Sequence, residues 1–420
     1  MTARGTQELD VLLLDGEYRQ ALAAMRVYAR AGLRVGSVAC ELDAGWAPSL
    51  RSRWCSLAAT VPDFSTNADG YVNAVLALLD ERPVRMLLPA HDGSIRALRG
   101  RRAEIERRTA LPLASERALD IAISKTRTLA LATELGIAVP RGISIHTLDD
   151  APAALRQIGF PVVVKPYESW VEQDGKGIRL SSEAFQTADQ AMQRLDKVLS
   201  VGGRALVQQW LPGRREAVSL FYARDRFWAR LAQVSHREWP AMGGASVLCE
   251  TIPLLPDITS ASEILVRGMD LEGCSMVEFR RDGDGRPVLM EVNPRMGGSV
   301  GLAIGAGVNF PKLLYDWKMG NPLEETTTYR LGQRLRWLAG DIWNIKCVFE
   351  NQGDPDIPPR GPALARFLLD FFRGRTFHGV ELDDMGPTLS EMNKMVLHHS
   401  MNRVRHLFFG QSDESANSER

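Results

Sequence analysis

The chain has 420 residues, and its 51 Lys and Arg residues balance its 51 Asp and Glu residues. A hydrophobic content of 45% with 24% charged residues is ordinary for globular domains and excludes a mainly disordered chain. The zero net charge argues against a nucleic-acid-binding protein that works through overall charge. No apolar run approaches the roughly 20 residues of a membrane span, so we expect no contact with a membrane.

The number and spacing of the cysteines predict the cellular compartment. The sequence has five, and no two of them form a CxxC pair or join a Cys/His cluster. We therefore expect reduced thiols in a cytoplasmic protein, an expectation that fits the lack of a signal-peptide core near residue 1. The five are Cys40, Cys55, Cys249, Cys274 and Cys347.

The first part of the chain alternates strand-like and helix-like segments. This pattern predicts a parallel sheet covered by helices on both faces. The first turn offers only Asp15-Gly16 and no GxGxxG, so an NAD or FAD site is not predicted. The predicted strands are 9–14, 35–39 and 86–90, and the predicted helices are 17–31 and 69–80.

Six arginines are concentrated between residues 96 and 108, together with Glu104 and Glu106. Mixed charges at this density are typical of a solvated helix face. No aromatic residues alternate with the arginines, so a nucleic-acid site is not supported.

From residue 160 onward strands dominate, and the order predicts an α+β region with antiparallel hairpins. After residue 329 the sequence becomes helical and rich in Arg and aromatic residues, and 411–420 is a polar tail that we expect to be frayed. The predicted strands are 160–165, 177–181, 205–209, 217–223, 227–234, 276–280 and 288–292, and the predicted helices are 183–199, 258–272 and 308–319.

Two carboxylates are predicted to face each other across a hairpin. Asp-Gly-Asp-Gly at 282–285 separates two strand-like runs, and a symmetric hairpin pairs Glu278 with Glu291, Arg280 with Leu289 and Met276 with Asn293. Opposed carboxylates repel, so the pairing is favourable when a divalent cation lies between them. Carboxylate and amide oxygens suit Mg²⁺ held jointly with substrate phosphates, whereas the alternative is a solvent-facing hairpin with ordinary acids.

Three further segments carry candidate ligands of a nucleotide. Arg295 follows Asn293 by two residues and has the guanidinium that suits a transferring phosphoryl group. Lys165 ends the β-branched run Val162-Val-Val, so its buried stem requires an anionic partner, and 167–177 is predicted to be a mobile flap. The strand at 205–209 opens into a Pro-Gly linker, where Trp210 and Leu211 are apolar candidates to contact adenine and Glu216 a candidate for ribose, although Trp210 alone also fits a packing role.

Taken in order, these segments resemble the ATP-grasp superfamily. The resemblance covers residues of about 115–320 and depends mainly on Glu291-Val-Asn293-Pro-Arg295 with its hairpin-paired Glu278. It implies an α/β and α+β fold. The implied domains are a parallel pre-ATP-grasp domain over 1–113, an ATP-grasp core of two α+β subdomains over 114–325 with a lid at about 140–210, and a helical extension over 326–420.

The resemblance also implies site roles and cofactors. ATP phosphates would contact Lys125 and Lys165, Arg295 would steady the transferred phosphoryl group, and two Mg²⁺ ions, or Mn²⁺, would be held by three ligands. Many members carry Glu where this chain has Gln208 or Gln209, and the assignment of the ribose position to Arg215 or Glu216 stays open. The implied metal ligands are Glu278, Glu291 and Asn293, and the implied adenine and ribose contacts are Gln208, Gln209, Trp210, Leu211 and Glu216.

Residues 236–250 and the Arg-rich extension resemble the carbamoyl-phosphate-synthase-like carboligases within the superfamily, with Arg237 as the candidate for the carboxylate substrate. The resemblance implies an ATP-dependent ligase that joins a small-molecule carboxylate to an amine through an acylphosphate. A homodimer is left open. Two alternatives are carbamoyl-phosphate-type or carboxylase chemistry on bicarbonate or carbamate, and a non-catalytic nucleotide-binding regulatory protein. A complete carbamoyl phosphate synthase normally has two grasp halves, and this length accommodates one.

Overall fold

The computed structural model describes residues 8–167, 170–173, 176–240, 244–352, 357–373 and 376–394. Its strands form two four-stranded sheets, one seven-stranded sheet and one two-stranded hairpin. The five cysteines are free thiols. Among the described residues, no helix combines the length and the apolar composition that a membrane span requires.

The N-terminal part is a parallel α/β sheet, as predicted, with strand order β3-β2-β1-β4. The strand β3 was not predicted, because exposed and half-buried residues alternate along most of this edge strand and leave no apolar run. The elements are β1 (Leu9–Leu13), α1 (Arg19–Arg30), β2 (Val35–Cys40), β3 (Cys55–Val61), α2 (Ala68–Glu81), β4 (Val84–Leu88), α3 (Asp92–Arg99) and α4 (Arg102–Glu106).

The arginines between 96 and 108 lie mainly on α3, α4 and the adjoining turns, and several form surface ion pairs, in agreement with the predicted solvated face. Arg99 pairs with Glu116 and Asp120, and Arg102 pairs with Glu106 and Glu116. Exposed pairs of this kind contribute little to stability.

A smaller subdomain follows two helices. Its sheet has the order β5-β10-β6-β9, and the helix predicted over 183–199 starts at Ala188, because 183–185 pairs with β6 as a strand. Val162, Val164 and Val207 point into this subdomain's own core, so alternation turns Lys165 and Gln208 to the other face. The elements are α5 (Glu116–Ile123), α6 (Lys125–Glu134), β5 (Gly142–Ile145), α7 (Ala151–Ile158), β6 (Val162–Pro166), β7 (Trp170–Gln173), β8 (Lys176–Arg179), β9 (Glu183–Phe185), α8 (Ala188–Ser200) and β10 (Ala205–Gln209).

The seven-stranded sheet has the order β15-β14-β11-β12-β13-β16-β17. Helices α12 and α13 form the predicted helical extension, and two short strands of that region, which were not predicted, join the sheet edge. The elements are β11 (Arg215–Ala223), β12 (Arg226–Trp239), β13 (Ala245–Ile252), α9 (Pro256–Met269), β14 (Gly273–Arg281), β15 (Pro287–Asn293), α10 (Val300–Ala306), α11 (Phe310–Met319), β16 (Arg334–Arg336), α12 (Leu338–Glu350), α13 (Arg360–Leu369) and β17 (Thr376–Phe377).

The predicted hairpin of β14 and β15 is confirmed in its functional half. Glu278 pairs with Glu291 and Met276 with Asn293, as the symmetric register requires. The prediction that Arg280 pairs with Leu289 is wrong, because a bulge shifts the register and places Arg280 opposite Val288. The bulge inserts one residue into β15 between the turn and the carboxylates, which symmetry alone does not reveal.

Candidate functional site

The two opposed carboxylates form the centre of the candidate site. Glu278 is buried and Glu291 half-buried, and the Asn293 amide donates to Glu278 Oε1 at 3.5 Å and to Glu291 Oε1 at 3.3 Å. Burial raises the pKa of Glu278, although Arg215 opposes this. Burial also acts against ionisation of Glu291, but the charges of Lys125 and Lys165 outweigh it and hold its pKa below the usual range. The site is therefore built to keep at least one carboxylate charged.

Two lysines from separate elements approach these carboxylates. Lys125 is the first residue of α6, whose N-cap Ser124 accepts a hydrogen bond from the Arg127 amide, and Lys125 Nζ donates to Ser182 Oγ at 3.3 Å. Lys165 lies on β6, and burial together with the charge of Lys125 lowers its pKa to about 8. Burial lowers the pKa of Lys125 as well, while Glu291 and Asp92 act to raise it. Each of these two ammonium groups lowers the stability of the other's charge, and a polyphosphate bound beside them would relieve this repulsion.

Arg295 is fixed at the site by a contact between distant parts of the chain. Its Nε donates to Asp92 Oδ1 at 2.7 Å and its Nη2 to Asp92 Oδ2 at 2.5 Å, so the ion pair is bidentate. Nη2 also lies 3.4 Å from Asn293 Oδ1. The guanidinium is thus held beside the proposed metal ligands by the first residue of α3.

The structure separates Arg215 from Glu216, which the sequence left open. Arg215 Nη1 lies 3.3 Å from Glu278 Oε2 and its Nε 3.4 Å from Glu238 Oε1, so this side chain faces the carboxylates. Alternation along β11 turns Glu216 to the other face, where it forms an ion pair with Arg281 at 2.8 Å. Glu216 is therefore not brought to the carboxylate cluster.

The segment predicted to contact adenine contains buried polar atoms without partners. Gln208 is 1% exposed, and neither its amide oxygen nor its amide nitrogen has a hydrogen-bond partner. The Trp210 indole N–H is also buried without a partner, and the ring lies under Arg280, whose guanidinium carbon is 5.2 Å from its centre. Gln209 Oε1 instead accepts a 2.7 Å hydrogen bond from Arg141, and Leu211 is buried. Unpaired buried amides are costly, so the Gln208 side chain fits a ligand that both donates and accepts.

Arg237 is not brought to the carboxylate cluster. It binds Asp341 through two hydrogen bonds of 2.6 and 2.7 Å and Asp370 through one of 2.6 Å, beside α12 and α13. The flap predicted at 167–177 includes residues 168–169 and 174–175, which lie outside the described part of the chain.

Glu278, Glu291 and Asn293 offer oxygen ligands that suit Mg²⁺ beside a nucleotide. Within the described ranges, no group of three or more His, Cys, Asp or Glu side chains is placed to hold a metal ion. Two carboxylates and one amide oxygen would leave most positions around Mg²⁺ to water and phosphate oxygens, which is how this ion binds beside nucleotides. A cavity of about 60 Å³ adjoins this set, and its lining includes Lys125, Glu291 and Asn293.

Sequence reasoning missed two residues of the site. Asp92 holds Arg295, and the signal was available, because Asp92 follows a predicted parallel strand at its carboxyl end. Glu238 is buried on β12, where it pairs with Arg215 and with Arg280 at 2.6 Å. No sequence signal marks it, because the bulges of β12 near Arg237 decide which side chains face the site.

Comparisons with known proteins agree with this geometry. Residues 206–340 match the family model described as "ATP-grasp in the biosynthetic pathway with Ter operon". The carbamoyl phosphate synthase large chain of Neisseria gonorrhoeae is 26% identical over 232 residues, covering 53% of this chain and 21% of that protein. This chain thus spans about a fifth of the length of the curated relatives it matches.

Solved structures show the same fold at low identity. Biotin carboxylase of Campylobacter jejuni superposes with a TM-score of 0.59 at 14% identity, over 78% of this chain and 74% of that one. The L-amino acid ligase of Bacillus licheniformis gives 0.58 at 16% identity, over 76% of each chain. The family match over residues 206–340, the fold and the hairpin-paired carboxylates all agree with the resemblance to the ATP-grasp superfamily.

Proposed function

We propose that the chain is an ATP-dependent ligase that joins a carboxylate to an amine through an acylphosphate. The observation that carries the proposal is that two lysines and Arg295 lie close enough to two opposed carboxylates to shift their titration. Phosphoryl transfer depends mainly on positioning and on neutralising charge, and this set supplies both.

The proposed reaction has two steps. A substrate carboxylate oxygen attacks the γ-phosphorus of ATP and ADP leaves. The amine nitrogen then attacks the acyl carbon, phosphate departs with the bonding electrons, and the nitrogen loses a proton. Mg²⁺, held by Glu278, Glu291 and Asn293, would neutralise phosphate charge. Lys125 and Lys165 would bind phosphate oxygens, and Arg295, held by Asp92, would stabilise charge on the transferred group.

The nucleotide would be held by the 208–211 segment. Gln208 has a buried donor and a buried acceptor to offer an adenine edge, and Leu211 is a buried apolar neighbour. Arg215 faces the carboxylates, whereas Glu216 is engaged by Arg281. We therefore propose Gln208 as an adenine ligand, and the ribose contact of Glu216 stays a prediction.

Carboxylation or carbamoyl phosphate formation is the second candidate. It is favoured by the curated relatives, which are carbamoyl phosphate synthases, and by a neighbour that is a biotin carboxylase. Both reactions also begin with phosphoryl transfer to a carboxyl-type oxygen, so the same residues would serve them. The difference lies in whether bicarbonate replaces the organic carboxylate.

The test is release of ADP and phosphate from Mg²⁺-ATP across a panel of carboxylates and amines, with a bicarbonate arm. We expect turnover that requires one carboxylate and one amine together, and mass spectrometry should find the condensed product. Turnover with bicarbonate alone would replace ligation by the second candidate. ATP binding without turnover in any arm would favour a regulatory nucleotide-binding protein.

A further inference from the structure

A second cavity lies away from the candidate site. It has a volume of about 400 Å³ and is bounded by β12, β13 and β16 on one side and by α12 and α13 on the other. This volume lies within the range of pockets that bind small molecules. Arg237 faces this cavity, whereas the next residue, Glu238, contacts Arg215 and Arg280 beside the carboxylates. The two sites therefore lie on opposite faces of the large sheet.

The lining of the cavity is strongly basic. Of the residues that the structure describes, five arginines line it and Asp370 is the one carboxylate in the lining. The inner arginines are already balanced, because Arg237 pairs with Asp341 and Asp370, and Arg334 pairs with Glu250. These fixed ion pairs give the cavity a rigid polar wall. The five are Arg214, Arg237, Arg334, Arg366 and Arg373.

Two arginines at the mouth of the cavity retain their full binding capacity. Arg214 and Arg366 are exposed, and within the described part of the chain neither forms an ion pair or a side-chain hydrogen bond. They approach from different elements, the linker before β11 and the helix α13. A guanidinium binds carboxylate or phosphate oxygens in bidentate fashion, so two of them favour a ligand with anionic oxygens.

The base of the cavity is apolar. Leu248 and Val348 are each 2% exposed, and Ala363 is 7% exposed. A fully hydrated inorganic ion would leave this surface uncovered, whereas an organic ligand with a short carbon skeleton would cover it. The combination of a basic mouth and an apolar base therefore selects a small organic anion.

We propose that this cavity binds a small organic anion whose carboxylate or phosphate groups pair with Arg214 and Arg366 while its carbon skeleton rests on Leu248 and Val348. The site is distinct from the proposed nucleotide site and does not depend on the ligase activity. A carboxylate and a phosphate can each form the same paired hydrogen bonds with a guanidinium.

The test is calorimetric titration of the full chain with two probes, glutarate for the carboxylate source and glycerol 3-phosphate for the phosphate source. We expect saturable binding of at least one probe, weakened about tenfold by Arg214→Gln and by Arg366→Gln. Arg366→Lys should restore part of the affinity. The matched control is Arg360→Gln on the same helix, which loses a hydrogen bond to Phe349 outside the cavity and should leave binding unchanged.

Three outcomes would overturn the proposal. The first is no saturable binding of either probe up to about 10 mM, well above a millimolar Kd. The second is affinity that Arg214→Gln and Arg366→Gln leave intact while both variants melt like the native chain. The third is binding abolished by Lys165→Gln, which would place the anion at the nucleotide site. ATP binding measured in the same samples separates these results from a failure of the proposed ligase function.

Discussion

Asp92 and Arg295 are joined by two hydrogen bonds of 2.7 and 2.5 Å, although 203 residues separate them in the sequence. The pair ties the start of α3 in the N-terminal sheet region to the turn after β15, where the proposed metal ligand Asn293 ends its strand. Arg295 also donates to the Asn293 side chain and the Met296 carbonyl, so within the described residues one of the five guanidinium N–H groups remains for a phosphate. The N-terminal region therefore contributes to the candidate site by orienting a residue of another element.

The first prediction concerns Asp92→Asn. Loss of the charge frees Arg295 to rotate, so we expect ADP release to fall about 10- to 100-fold while ATP binding changes little. Steady-state kinetics and equilibrium nucleotide binding measure the two effects separately. Asp69→Asn, a first-turn aspartate of α2, is the matched control and should retain native turnover. An equal loss of binding and turnover in Asp92→Asn would contradict an orienting role.

The second prediction concerns Glu291→Gln. The carboxylate faces Glu278 across the hairpin, but Lys125 and Lys165 hold its pKa low, so its charge stabilises the fold and its removal should lower the melting temperature modestly. We expect turnover to fall by about 100-fold or more and the required Mg²⁺ concentration to rise, because a metal ligand is lost. Glu134→Gln, on the exposed end of α6, is the control. Native rates with native Mg²⁺ dependence in Glu291→Gln would remove the metal assignment.

The pairs Glu278–Glu291 and Asp92–Arg295 show how far the sequence could predict the site. The opposition of Glu278 and Glu291 follows from a turn signal and the two-residue period of strands, which are local. The contact of Asp92 with Arg295 depends on how two sheets pack, and no local pattern encodes it. The choice between Arg215 and Glu216 depends on strand phase, and a shift of one residue reverses which side chain faces the site. The bulge near Met290 was not predicted either, because one inserted residue leaves the alternating pattern intact on both sides of it.

The third prediction concerns Gln208→Met. The native side chain buries an amide without partners, which costs about 1–3 kcal/mol, so its replacement should raise the free energy of unfolding by about 1 kcal/mol. If the amide serves adenine, the same change should weaken ATP binding about tenfold. Denaturant titration and nucleotide binding check the opposite signs.

The control for that change is the neighbouring Gln209→Met. Gln209 Oε1 accepts hydrogen bonds from the Arg141 backbone and side chain, so this variant should lose stability instead of gaining it. A Gln208→Met chain that is both less stable and unchanged in ATP affinity would show that the amide is satisfied within the protein.

The fourth prediction concerns the pH dependence of stability and depends on two acids after β1. Asp15 is buried and accepts hydrogen bonds from the Ala90 and His91 amides and from Ser94, yet burial raises its pKa to about 6. Burial, followed by the charge of Asp15, raises the pKa of Glu17 to about 8, from an ordinary value of 4.5. Between pH 4.5 and about pH 8, the folded chain therefore holds a proton on Glu17 that the unfolded chain has released.

The free energy of unfolding should therefore fall as the pH rises from about 4.5 to about 8, by up to about 1.4 kcal/mol per pH unit for one proton. Glu17→Gln cannot lose that proton, so we expect a flatter stability curve over this range and a variant more stable than the native chain above about pH 8. Denaturant midpoints measured between about pH 5 and pH 9 test this, with the exposed Glu41→Gln as the control that keeps the native slope. Parallel curves for Glu17→Gln and the native chain would mean that Glu17 is ionised in the folded state, because only a proton bound differently in the two states gives stability a dependence on pH.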